Sequence, residues 1–137
     1  MATSFQPSPF LRYALVGDAL ASGATGLLLL GGAGFLTGLL GMPESLMRYA
    51  GLFLLPCAAA VAFVGTRETV STGVIWAIIA VNALWVVESI LLLLSGWVSP
   101  TLLGTAFVIA QALVVAAFAE AQFIGLHKSR SDMPAGA

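Results

Sequence analysis

Apolar residues fill four long stretches of this chain, about 10–33, 43–65, 70–95 and 100–126, and polar residues collect chiefly at their edges. An α-helix rises 1.5 Å per residue, so about 20 apolar residues cross the hydrocarbon of a bilayer. Each stretch reaches that length. The pattern predicts an all-α, polytopic membrane protein with four transmembrane helices in an antiparallel bundle. One domain then spans residues 1–137, with short polar tails at 1–9 and 127–137.

The edges of the stretches carry matching signals. Pro43 and Pro100 suit the first helical position, where a missing N–H costs nothing, and Ser99 is placed to cap the helix that Pro100 opens. Glu44 falls in a first turn, where the helix dipole favours negative charge, and Gly96 suits the end of the third span. The glycine-rich GGAGFLTGLLGM, 31–42, and the tight turn SGWVSP read as connections. Gly34 and Gly38 form a GxxxG, but outside mid-span, where close helix pairing would use it. No Lys-Ser or Lys-Thr follows these glycines, which excludes a phosphate-binding loop. Pro56, midway along the second span, is expected to bend it. Ala19-Leu20-Ala21 resembles a cleavage site, yet Asp18 interrupts the short apolar run before it, so the first span is expected to be retained.

Composition fixes the medium. Hydrophobic residues make up 60% of the chain and charged residues 8%, whereas a soluble domain is about half apolar and about one quarter charged. Too few polar groups remain to cover a surface in water, a requirement that lipid removes. A net charge of −1 leaves no footprint for nucleic acid. The single cysteine, Cys57, excludes an intrachain disulfide and a two-cysteine redox relay, and it reads as a small packing residue. The single histidine, His127, lies in the polar tail, so no pair of buried imidazoles can hold a haem or a metal. With no nucleophile elbow or zinc-protease motif, neither an enzyme nor a cofactor is expected. The basic residues set direction: Arg12, Arg67, Lys128 and Arg130 fall on one side of the four spans and Arg48 on the other. This bias places both termini in the cytoplasm, Trp97 in the outer aromatic belt and Tyr13 in the inner one.

Any chemistry must come from polar residues inside the spans. Asp18, Ser22 and Thr25 recur at helical spacing on one face of the first, which is expected to point inward. On the third, Ser71, Asn82 and Ser89 share a face beside Trp85, with Glu88 around the flank; on the fourth, Gly104, Gln111, Phe118 and Gln122 share one face and Glu120 points the other way. Counted from the SGWVSP turn, Asn82 and Gln111 lie about 21 and 17 Å deep, close enough to hydrogen-bond across the two helices. Glu88 lies about 12 Å below the outer boundary and Arg48 about 8 Å, so Arg48 is its expected ion-pair partner. Asp18 and Glu120 lie about 12 and 10 Å from the cytoplasmic helix ends. At that depth they either share a proton-carrying site, or play separate structural parts. In the second case Asp18 bonds to a neighbouring serine or to Arg67, and Glu120 reaches the headgroups beside His127.

Three segments, LRYALVGDALASGATGLLLL, LMRYAGLFLLP and NALWVVESILLLLSGWVSPTLLGTAFVIAQAL, together resemble an uncharacterised family of small four-span integral membrane proteins found in proteobacterial genomes. The resemblance covers about 11–126 and implies a bacterial inner-membrane location without implying an activity. Two functions are compatible with these residues. One is a non-enzymatic accessory or structural membrane subunit, whose partners are the bilayer and either further copies of itself or a larger membrane complex. The other is a small oligomeric proton-linked transporter or channel that uses the intramembrane carboxylates.

Overall fold

The computed structural model describes residues 4–131. Residues 132–137, the end of the expected polar tail, lie outside the described residues, as does the side chain of Arg130. Strand β1 (Ser4–Phe5) leads into α1 (Pro9–Gly31), α2 (Ala33–Leu40), α3 (Glu44–Gly65), β2 (Val70–Ser71), α4 (Thr72–Ser95) and α5 (Leu102–Ser131). Among the described residues, four of the five helices are long and apolar enough to cross a membrane. α1 packs most extensively on α3, and α4 on α5, with α1 also against α5.

Local chemistry explains most boundaries. The Ser8 hydroxyl accepts from the Leu11 N–H at 3.2 Å, and Pro9 takes the first helical position. Glu44 opens α3, and Gly96 closes α4 in the left-handed conformation, φ 78°. α5 departs from expectation: it starts at Leu102, and Thr101 rather than Ser99 receives the Gly104 N–H at 3.1 Å. Thr101 is fixed there because its hydroxyl donates to the Leu39 carbonyl at 2.6 Å and its N–H to the Leu40 carbonyl at 3.0 Å.

Two expected connections are ordered elements. The glycine-rich 31–42 segment contains α2, because Ala33 and Leu40 are buried against the neighbouring helices and packing overrides the low helix propensity of glycine. The amino-terminal segment is not a free polar tail: Phe5 is 4% exposed, and β1 pairs with β2 in register Ser4↔Ser71. At the other terminus α5 continues past Leu126, so His127 lies on a helix, its ring 4.4 Å from that of Phe123 and tilted 37° to it. Pro56 is accommodated within α3, which runs unbroken from Glu44 to Gly65.

One end of the molecule gathers the start of α1, the end of α3, the start of α4 and the end of α5. There Arg12 donates to the Gly65 carbonyl at 2.7 Å and the Arg67 carbonyl at 3.0 Å, and the Ser8 N–H donates to Ser129 at 2.7 Å. An apolar cluster of Phe5, Leu11, Leu15, Val70, Ile75 and Leu126 fills this end. A second cluster, built on Leu29, Leu40, Met42, Met47, Leu54 and Val108, fills the opposite end.

The α1–α3 seam depends on absent side chains. A Cβ on Gly51 would lie 2.6 Å from the Gly26 carbonyl oxygen and 2.7 Å from the Leu30 nitrogen, so the two backbones touch where glycines face each other. Gly38, in the GxxxG of α2, has open space around it. Gly51→Leu should therefore force the helices apart and destabilise the protein by at least about 1–3 kcal/mol. Gly38→Ala should leave the melting temperature in detergent unchanged or slightly raised.

Candidate functional site

Between the two apolar clusters lies a knot of polar side chains centred on Asp18, which is 2% exposed. The Ser22 hydroxyl, one turn along α1, donates to Asp18 Oδ1 at 3.1 Å. Asn82 Nδ2 of α4 donates to Oδ2 at 2.8 Å, and Gln122 Nε2 of α5 donates to the same oxygen at 2.7 Å. Asn82 Nδ2 also reaches Gln122 Oε1 at 3.0 Å, which closes a ring of three side chains from three helices. Among the described residues no basic side chain pairs with Asp18, so neutral donors alone replace its water. Both carboxylate oxygens accept, the pattern that suits an acceptor-only carboxylate.

A second knot lies nearer the other end. Trp85 Nε1 donates to Gln111 Oε1 at 2.7 Å, and Gln111 Nε2 donates to Ser89 Oγ at 3.0 Å and to the Val108 carbonyl at 2.9 Å. The Ser89 hydroxyl turns back to the Trp85 carbonyl at 2.7 Å. Every polar atom of the Gln111 amide is engaged, and the indole ring of Trp85 is fixed in orientation. Phe53 of α3 stacks on that ring, with centroids 6.0 Å apart and planes 4° from parallel.

These partners differ from those expected from depth alone. Asn82 joins Asp18 and Gln122 rather than Gln111, and Gln111 joins Trp85 and Ser89. The expected Glu88–Arg48 pair is absent: Arg48 pairs with Glu44, four residues before it on the exposed face of α3, where the short helical spacing outcompetes a reach across helices. Glu88 is left without a hydrogen-bond or ion-pair partner among the described residues. Asp18 and Glu120 do not meet: Asp18 is buried in the knot, while Glu120 is exposed on the far side of α5 from Gln122. Asp18 bonds to its neighbouring serine as one expectation held, but not to Arg67, whose guanidinium lies over the Phe63 ring at 5.1 Å. Thr25, the third member of the α1 stripe, lines one cavity beside the knot and the larger cleft between α3 and α4.

Gln122 is the residue whose part sequence reading missed. With α5 ended at Leu126 it counts as shallow. With the observed helix ends, Asp18, Asn82 and Gln122 lie about 14, 15 and 14 Å from their respective helix ends, a match in depth that would have singled it out. Trp85 was visible only as an aromatic neighbour, since its N–H partner depends on the rotation of α4 against α5.

Two cavities, about 210 and 240 Å³, reach Asp18 and Ser22, one beside Phe107 and Phe118 and the other beside Cys57 and Val61. A larger cleft of about 550 Å³ opens between α3 and α4. No group of three or more potential metal-ligating side chains occurs among the described residues.

Removing one donor should expose the dependence on the knot. Gln122→Leu leaves the buried carboxylate short of a partner and should destabilise the protein by about 1–3 kcal/mol, whereas Asp18→Leu added to it should recover part of the loss, since no unsatisfied charge remains. By contrast Arg48→Gln, which breaks an exposed pair, should change stability by less than about 1 kcal/mol. Thermal melting in detergent reads all three. No family model, curated protein or solved structure matches the chain.

Proposed function

We propose that this chain is a small, non-enzymatic integral protein of a bacterial inner membrane that serves as an accessory or structural subunit, its long helices forming an antiparallel bundle with both termini cytoplasmic. The observation that carries this reading is the saturation of Asp18: a deep carboxylate with three donors on its two oxygens is held in place rather than offered to a substrate. The orientation is supported by the shared end that holds Arg12, Arg67 and Lys128, opposite the end that holds Arg48, because basic residues are retained on the cytoplasmic face. The resemblance to a proteobacterial four-span family supports the location.

A surface for assembly is available on α4. Leu84, Val87, Leu91 and Leu94 recur at helical spacing, and all are exposed. Only 6% of the most apolar window of this helix is buried within the chain. Lipid or another helix must cover this stripe.

The competing reading, a small oligomeric proton-linked transporter or channel, draws on the two cavities that reach Asp18. It requires that carboxylate to release its donors during each cycle. Native mass spectrometry from mild detergent separates the two. An accessory subunit should carry a second polypeptide or further copies of itself, lost in Val87→Trp while the helical content is kept. A monomer that drives a pH-dependent flux in proteoliposomes, abolished by Asp18→Asn, would overturn the proposal.

A further inference from the structure

The cleft between α3 and α4 is lined by the exposed Glu88, whose carboxylate no described residue satisfies. Glu88 lies eight residues before Gly96, at a depth of about 12 Å along α4. No cation or donor among the described residues reaches it, and Arg48, its expected partner, is committed to Glu44. A carboxyl group at this depth is accommodated by protonation, by water or by a counter-charge, and a cation in the cleft supplies the last of these. A lipid headgroup amine stays at the boundary and does not extend that far into hydrocarbon.

The other walls say what kind of counter-charge fits. Tyr49 and Phe53 of α3 and Trp85 of α4 present aromatic surface to the same cleft, and Leu46, Leu84 and Leu92 make the rest of it apolar. Aromatic faces attract cations through their quadrupole, most strongly where water is excluded. Trp85 is already fixed by Gln111 and stacked on Phe53, so this wall is set before any ligand arrives. A volume of about 550 Å³ matches a small-molecule site. The cleft is open rather than enclosed, so an occupant can enter sideways from the lipid.

We propose that the α3–α4 cleft binds a lipophilic organic monocation, with Glu88 as its counter-ion and Tyr49, Phe53 and Trp85 as its aromatic walls. The charge must be spread over an apolar body, since a compact ammonium would not partition to this depth. The site does not involve the Asp18 knot, but Leu84 belongs both to its wall and to the exposed α4 stripe, so it requires that any subunit covering the stripe leave the cleft open.

Tetraphenylphosphonium added to the purified full chain in nanodiscs provides the test, followed by calorimetry and by quenching of tryptophan fluorescence in a Trp76→Phe, Trp97→Phe background that leaves Trp85 as reporter. The expected result is saturable binding at a single site with quenching of Trp85. Glu88→Gln should weaken binding by at least about tenfold, Phe53→Leu severalfold, and Glu120→Gln, outside the cleft, not at all. Circular dichroism and a monodisperse elution profile confirm that each variant is folded, and Glu88→Asp should retain measurable binding. Equal affinity in folded Glu88→Gln, equally tight saturable binding of the isosteric anion tetraphenylborate, or no saturable binding would overturn the proposal. So would a cross-link from the cleft to a neighbouring copy that persists in saturating cation, since a helix would then be the occupant.

Discussion

A carboxylate carried from water into a low-dielectric interior loses several kcal/mol of hydration, and a bilayer offers no solvent to restore it. Asp18 meets that demand with three neutral donors supplied by α1, α4 and α5. The donors cannot be satisfied separately. If α4 rotates, Asn82 leaves both Asp18 and Gln122; if α5 slides, Gln122 leaves both of its partners. Apolar packing alone would specify these rotations poorly, because lipid tails solvate leucine as well as another helix does. The knot therefore supplies the registration that the hydrophobic effect cannot.

Around this point the structure divides into two kinds of contact. The α1–α3 pair associates by close backbone approach at Gly26 and Gly51, where dispersion acts over many short contacts. The α4–α5 pair carries the second knot of Trp85, Ser89 and Gln111. Between the two pairs, the upper part of the α3–α4 seam is left open, crossed by the Phe53–Trp85 stack. One rigid indole thus belongs both to the knot that fixes α4 on α5 and to the wall of the cleft.

The ends of the molecule are closed by segments that look dispensable in isolation. Phe5 and the β1–β2 pairing cap one end, and α2 with Thr101 closes the other. In both places the backbone would otherwise present unpaired polar groups beside apolar side chains, and the short elements satisfy them. Glycine content and proximity to a terminus misdescribed both segments, because their order comes from burial against distant helices.

What the sequence by itself determined was the four long apolar helices and their approximate ends, the cap at Gly96, the acidic first turn at Glu44, and the inward face carrying Asp18 and Ser22. These follow from periodicity, length and local capping chemistry, which act over a few neighbouring residues. Only the tertiary structure decided which polar residue meets which: Asn82 with Asp18 and Gln122, Gln111 with Trp85, Arg48 with Glu44, and Glu88 with no partner among the described residues. The reason is geometric. Depth along a helix can be counted from the sequence, whereas partnership also requires the rotation and separation of helices, which are fixed by contacts such as Gly26 on Gly51 that no single segment encodes.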